Sequence, residues 1–166
     1  MEAIIDRETV YCVEGLLDSA NFFENLGRLI PREDWTLGIG SYDLAPNVWN
    51  WLDSQSKSEV PMEYDFRRLF DIHRDDYPLG GAFYLPPKIE ILAQLGEFVS
   101  ECESTEFSCD HVVGFDDGGG IFSFHDAFQG GRLLISPSIP RENIEDFCSH
   151  INAPFSLVAN PQRNGP

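Results

Sequence analysis

Lysine is almost absent from this sequence. The chain of 166 residues has two lysines, Lys57 and Lys88, and its 11 lysines and arginines stand against 28 aspartates and glutamates, so the formal net charge is -17. A surface with that charge repels nucleic-acid phosphates and anionic lipid headgroups, and it attracts basic proteins. We therefore expect a basic protein as the partner, with no direct contact to nucleic acid or to a membrane.

Long apolar runs are also missing. No stretch reaches the roughly 18 to 20 apolar residues that a membrane-spanning helix needs. The opening segment MEAIIDRETV has acids where a secretory signal has a basic region, so we expect a cytoplasmic protein. In a reducing compartment the four cysteines are predicted to stay free thiols; they are Cys12, Cys102, Cys109 and Cys148.

The signatures of several enzyme classes are missing too. The sequence has no phosphate-binding loop ending in lysine, no dinucleotide fingerprint and no serine nucleophile elbow. A zinc set that starts from Cys102, Cys109 and His111 fails on spacing, because six residues separate the two cysteines instead of the two to four of a typical zinc knuckle. We predict no catalytic residue, no metal site and no cofactor.

The residues that are present favour one folded domain. Apolar residues make up 42% of the chain and aromatic residues 13%, which is enough for a core at this length. Periodicity and turn residues predict strands at 9–17, 35–42, 81–86, 131–139 and 154–159, a hairpin within 111–128, and helices at 18–31, 45–55, 64–76, 87–104 and 140–152.

This pattern indicates an α+β or mixed α/β fold. We predict a single-domain sandwich of a mostly antiparallel or mixed sheet with about four to five helices. Residues 1–160 form the predicted globular domain, and residues 161–166 form a loose C-terminal tail.

The stretch HVVGFDDGGGIFSFHDAF, residues 111–128, predicts a β-hairpin with two possible registers. A two-residue turn at Gly118–Gly119 gives one continuous apolar face, whereas a loop of all three glycines mixes apolar and polar residues on each face. We therefore favour the two-glycine turn. Its apolar face pairs Phe115 with Phe122 and Val113 with Phe124.

In that register the polar residues of the hairpin face solvent and are spread along it. Asp116, Ser123 and His125 share the outer face, and the backbones of Asp116 and His125 lie more than about 10 Å apart. His111 faces Asp126 across the strands as an ion pair. The spacing is too wide for a metal centre, so the hairpin is predicted to present an acidic outer face.

The helix predicted at 87–104 has its charges on one side. At 100° per residue, Glu90, Glu97 and Glu101 fall within about 40° of one another, opposite a stripe of apolar residues. No lysine or arginine occurs at positions 89–131, so the row lacks the i,i+4 partners of opposite charge that exposed helices usually have. A basic partner would offset the repulsion along the row. The alternative is a face that is merely solvated.

Two short segments resemble signatures of the SUKH immunity domains of bacterial toxin–immunity systems. LGRLIPREDW (residues 26–35) is similar to their helix that leads into a Leu-Pro turn with an aromatic residue after it, and GFDDGGGIFSF (residues 114–124) to their glycine-rich turn between strands. The chain as a whole resembles small acidic immunity proteins, which implies a protein that blocks a cognate toxin. Here the strand TLGIG follows the first motif, where SUKH domains continue through a helix to an Asn-Gly-Gly turn, so we carry over the role and not the fold.

The leading hypothesis is a non-enzymatic inhibitor that binds and neutralises a basic protein toxin, of nuclease type, through an acidic surface. The partner-binding residues that we predict are Glu90, Glu97, Glu101, Asp116 and Asp117, with Trp49 as an anchor. One alternative is a small metal-dependent or cysteine hydrolase that uses His111, Asp116, His125 or Cys109. Two others are an inhibitor that mimics nucleic acid and a regulatory subunit of a larger assembly.

Overall fold

The computed structural model describes residues 4–15, 17–57, 59–66, 80–101, 109–128 and 130–163. Within these ranges the chain is a single α+β domain, as the sequence predicts. Its elements are β1 (Thr9–Val13), α1 (Ser19–Leu29), β2 (Thr36–Ser41), α2 (Pro46–Gln55), a 3-10 turn (Met62–Tyr64), β3 (Gly81–Leu85), α3 (Ile89–Glu101), β4 (His111–Asp116), β5 (Gly119–His125), β6 (Leu133–Ile135), α4 (Arg141–His150) and β7 (Phe155–Ala159). The helix predicted at 64–76 lies mostly outside the described residues.

The seven strands form one sheet in the order β3-β2-β4-β5-β6-β1-β7. Every neighbouring pair is antiparallel, which confirms the predicted class. Although β1 comes first in sequence, it lies between β6 and β7, with Val13 opposite Leu133 and Thr9 opposite Ala159. The edges of the sheet are therefore β3 and β7.

α1 shows how local sequence sets a helix in this fold. Asp18 accepts a hydrogen bond from the backbone N–H of Asn21 at 2.8 Å, which caps the first turn, and Pro31 follows shortly after the last residue. Phe22, Phe23, Leu26 and Leu29 are fully buried along one side. That side lies on the sheet, where α1 also packs against α3 and α4.

Both faces of the sheet are covered by apolar residues. All four α-helices contribute to the larger core on one face, which includes Phe22, Val48, Leu92 and Phe147. A smaller cluster covers the opposite face and contains Ile4, Ile5, Val10, Cys12, Tyr64, Phe66, Tyr84, Val113, Phe115 and Leu134. The central strands are thus buried on both sides, which determines the register of the hairpin.

The predicted hairpin register is wrong by one residue. The turn is formed by Asp117 and Gly118, and Asp116 pairs with Gly119. A bulge follows, after which the pairs are Gly114 with Phe122, Val113 with Ser123, Val112 with Phe124 and His111 with His125. His111 therefore faces His125 across the strands and not Asp126.

The predicted register assumes that one face of the hairpin is solvated, whereas both faces are covered in the structure. Val112, Phe122 and Phe124 belong to the helical core, while Val113 and Phe115 belong to the smaller cluster on the other face. Aromatic and β-branched side chains therefore lie on both faces of the hairpin. Because both faces are buried, the preference for one continuous apolar face does not distinguish one register from another. Gly114 selects it instead, because its missing side chain leaves room for the ring of Phe122.

We predict that Gly114→Ala destabilises the fold and that Gly27→Ala does not. A Cβ at residue 114 would lie 2.3 Å from the ring of Phe122, which is fully buried, so the substitution should lower the free energy of unfolding by about 1–3 kcal/mol. Gly27 is exposed in α1, and a Cβ there meets nothing within 4 Å, so alanine should raise the free energy by about 0.5–1 kcal/mol. Urea unfolding of both variants measures the difference, and equal stability would contradict the register.

Candidate functional site

The acidic row predicted on the long helix lies on the exposed side of α3. Glu90, Glu97 and Glu101 are all exposed, whereas Leu92 and Leu95 are buried on the opposite side. Burial of these leucines fixes the rotation of the helix about its axis. The three carboxylates consequently project into solvent along one line.

The charges of this row are not neutralised within the described part of the chain. Glu90, Glu97 and Glu101 make no ion pair with any described residue, and the last turn of α3 contains no basic side chain. The arginines that do form ion pairs bind acids elsewhere: Arg28 binds Asp146, Arg32 binds Asp34 and Asp116, Arg141 binds Glu145, and Arg163 binds Asp6. The row therefore repels itself with no local compensation.

Packing of α1 against α3 brings a further carboxylate beside the row. Gly96 is buried in α3, and a Cβ at this position would lie 2.7 Å from the Cγ atom of Glu24. Glu24 itself is exposed, and it adds a carboxylate on α1 beside the flank of α3, about 100–140° around the helix from the row at 100° per residue. The sequence alone does not single out Glu24, because α1 and α3 come into contact only in the folded protein. The signal that was present is a glycine in the interior of a helix, which often marks close approach of another element.

Asp116 and Asp117 lie at the hairpin turn, but they differ in environment. Asp116 is half-buried and accepts hydrogen bonds from the guanidinium of Arg32 and, at 2.7 Å, from the N–H of Gly118. Asp117 is exposed at the turn itself. Asp116 thus holds the turn, and Asp117 is the residue of the two whose charge faces solvent.

Arg32 joins the hairpin turn to the segment that follows α1. Besides Asp116, it binds Asp34 at 2.5 Å, and its carbonyl accepts a hydrogen bond from the indole N–H of Trp35 at 2.9 Å. The hydrogen bonds that the guanidinium donates to both carboxylates raise the pKa of Arg32, and the guanidinium lowers the pKa of Asp34. The cluster is internally paired, so it offers a partner less charge than the row on α3.

The hairpin turn and the start of α3 lie toward the same end of the sheet. Leu85 lies opposite Leu37 and Thr36 lies opposite Phe115, so β3 ends, and α3 begins, at the end of the sheet that carries the hairpin turn. α3 then runs toward the other end, and Glu101 lies about 17 Å from Glu90 along the helix axis at 1.5 Å per residue. Glu90 is therefore the member of the row nearest the turn.

Trp49, the predicted anchor, is half-buried and packs within the fold. Its indole N–H donates to the carbonyl of Gly80 at 3.3 Å, and its ring meets that of Phe83 edge to face at 5.9 Å between centroids. Trp49 joins α2 to β3 and does not stand free on the surface. Its part in partner binding stays a prediction.

The polar residues predicted on the outer face of the hairpin are covered instead. Ser123 is fully buried, and the amide nitrogen of Gln162 lies 3.0 Å from its Oγ and 3.1 Å from Nε2 of His125. The side-chain oxygen of Gln162 accepts from the N–H of Ile5. Residues 161–163, predicted as part of a loose tail, thus form a turn that is hydrogen-bonded to β5 and to the N-terminal segment, and residues 164–166 lie outside the described ranges.

His125 and His111 are uncharged at neutral pH in this arrangement. Their rings are 5.3 Å apart between centroids. Burial lowers the pKa of His125 to about 4, with a further lowering from His111 and an opposing effect of Asp126. Burial also lowers the pKa of His111. The pair is consequently a neutral part of the interior of the fold.

The structure provides neither a reactive thiol nor a metal cluster among the described residues. Cys109 and Cys148 are buried, and burial raises the pKa of both thiols, that of Cys148 to about 11, so neither is a ready nucleophile. No group of three or more His, Cys, Asp or Glu side chains within the described ranges is arranged to hold a metal ion. Cys102 lies outside those ranges.

A cleft of about 1130 Å³ opens beside the hairpin turn. Arginines and acids line it in equal number, namely Arg7, Arg32, Arg163, Asp6, Glu63 and Asp116. Because these charges balance, the cleft does not continue the acidic surface. None of the described residues that line it is a histidine or a cysteine.

Comparison with known proteins gives no relative for this chain: no family model, no curated protein and no solved structure matches it. Among the described helices, none has both the length and the apolar character needed to cross a bilayer.

We predict that His125 makes the stability of the fold depend on pH between about 6.5 and 4. Its pKa is about 4 in the folded protein and 6.5 ordinarily, so the unfolded chain binds the proton first as pH falls. The contribution is fully present above pH 6.5 and decreases on acidification, by about 2 kcal/mol at pH 5. Urea unfolding at pH 7.5 and pH 5.0 should therefore show a smaller loss for His125→Gln than for the unchanged protein. Equal losses in the two proteins would refute the assignment.

Proposed function

We propose that this protein is a non-enzymatic inhibitor of immunity type, which binds and neutralises a basic protein toxin, a nuclease effector, through its acidic surface. The observation that carries the proposal is the row of Glu90, Glu97 and Glu101 on α3, exposed and without an ion pair to any described residue. The composition supports it, since the net charge is -17.

Uncompensated carboxylates on one helix face have two effects on association. They raise the rate at which a basic partner is captured, because the attraction extends over roughly a Debye length, about 8 Å at physiological salt. They also repel one another in the free protein, and a cationic partner removes that repulsion on binding. Both effects favour rapid, salt-sensitive capture of a basic protein.

The row adjoins an apolar contact that an interface can use. Ile89 is 72% exposed at the start of α3, directly before Glu90. Around the helix it lies within about 120° of all three glutamates at 100° per residue. In protein interfaces, apolar side chains commonly provide the buried contact, and charged side chains orient the partner. Ile89 can provide the first and the neighbouring glutamates the second. Asp117 lies toward the same end of the sheet as Glu90 and extends this surface.

The first experiment identifies the partner. The tagged protein is used as bait in an extract of its native organism at low salt and at roughly 0.5 M salt, and the retained proteins are identified by mass. We expect a single basic polypeptide that is retained at low salt and retained less at the higher salt. Retention of no basic protein at either salt would contradict the proposed function.

We predict that neutralising the row weakens binding of that polypeptide more than neutralising other acids does. The triple variant Glu90→Gln, Glu97→Gln, Glu101→Gln should raise the dissociation constant by about 10- to 100-fold, at roughly 0.5–1 kcal/mol per charge, and should flatten its dependence on salt. A matched control replaces three exposed acids elsewhere, Glu33, Glu59 and Glu142, and has the same net charge. Equal losses of affinity in the two variants would show that net charge, and not the row, governs binding.

A further inference from the structure

β7 is an edge strand without the features that usually protect an edge. Its sequence FSLVA has no charge and no proline, and Leu157 at its centre is 57% exposed. Among the described strands, β7 pairs with β1 alone. Such a strand offers its outer backbone groups to another chain.

The opposite edge of the sheet is closed by the chain itself. The carbonyl of Tyr84 in β3 accepts a hydrogen bond from the N–H of Lys57 at 2.7 Å, and the N–H of Tyr84 donates to Oγ of Ser56 at 2.8 Å. The segment after α2 thus occupies the outer side of β3. Only one of the two edges is left open in the described structure.

The register of β1 and β7 identifies which backbone groups point outward. Asn160 N–H donates to Glu8 O at 2.8 Å, and Glu14 N–H donates to Pro154 O at 3.1 Å, so the even-numbered residues of this strand direct their backbone groups toward β1. In an antiparallel ladder the alternate residues point the other way. The N–H and C=O groups of Phe155, Leu157 and Ala159 therefore point away from the sheet, and none of them bonds to a described residue.

We propose that β7 accepts an extended segment of a basic polypeptide as an eighth, hydrogen-bonded strand of the sheet. That the partner is a basic polypeptide rests on the proposed function. The open edge of β7 determines how one segment of that polypeptide binds. Main-chain hydrogen bonds to Phe155, Leu157 and Ala159 supply the pairing, and the incoming side chains cover Leu157.

Charge favours a basic segment over a second copy of this chain. Glu8 and Glu14 are exposed at the two ends of β1, one strand in from the open edge, opposite Asn160 and Pro154. A second copy would bring together two chains of net charge -17.

The probe is a blocked seven-residue peptide that alternates lysine and valine. Its control is the same peptide with two adjacent central amides N-methylated, which removes one donor from each edge and keeps the charge. We expect the unmethylated peptide to bind at least tenfold more tightly. On binding, hydrogen exchange should slow at the amides of Phe155, Leu157 and Ala159, while those of Ser156 and Val158 are already protected by β1.

Leu157→Pro tests the edge from the side of the protein. The substitution removes an N–H that points outward and leaves the hydrogen bonds to β1 in place. It should reduce affinity for the peptide at least tenfold, whereas Leu157→Val should retain it. If the proline variant does not fold, the comparison of the two peptides and the hydrogen-exchange pattern still test the proposal.

Several outcomes would overturn the proposal. Equal binding of the two peptides, no binding of either, or protection elsewhere would do so. Protection of the same three amides without peptide, together with a doubled mass in sedimentation equilibrium, would assign the edge to a second copy. Failure of the proposed function is seen separately, when the extract yields no basic protein at either salt.

Discussion

Phe122 lies over Gly114 on the neighbouring strand, where no larger residue fits without displacing the ring. This contact sets the register of β4 against β5, and the register decides which side chains enter each core. It directs Phe122 and Phe124 toward the helices, and Val113 and Ser123 toward the opposite face. The N-terminal segment at Ile5 and the turn at Gln162 then cover that second face, so much of the packing follows from one glycine.

The elements of this fold could be predicted from sequence better than their assembly. The cap at Asp18 and the apolar spacing of α1 are local signals, and they located the helix correctly. The hairpin was recognised as a hairpin, but its register depends on a second buried face that no local pattern reveals. Gln162 was assigned to a loose tail because its partners, Ser123 and His125, are distant in sequence.

For the candidate surface, too, the sequence predicts local features but not contacts between distant parts of the chain. The exposure of Glu90, Glu97 and Glu101 follows from helical periodicity, so the sequence was sufficient to predict it. The neutralisation of Asp116 by Arg32 joins the end of β4 to the segment after α1, a contact between distant parts of the chain that no local pattern predicts. Most of the described arginines form ion pairs of this kind with acids outside α3. The carboxylates on the outer face of α3 are therefore less neutralised than those acids.

The position of β1 between β6 and β7 has a consequence for synthesis of the protein. As the chain emerges from the ribosome, β1 appears early, yet its partners begin only at Leu133 and Phe155. Until then a segment of β-branched and aromatic residues, TVYCV, has both of its edges unpaired. Assembly of the sheet therefore waits for late contacts of long sequence separation, which slows folding. The excess of negative charge, -17 in total, keeps nascent copies apart during that interval.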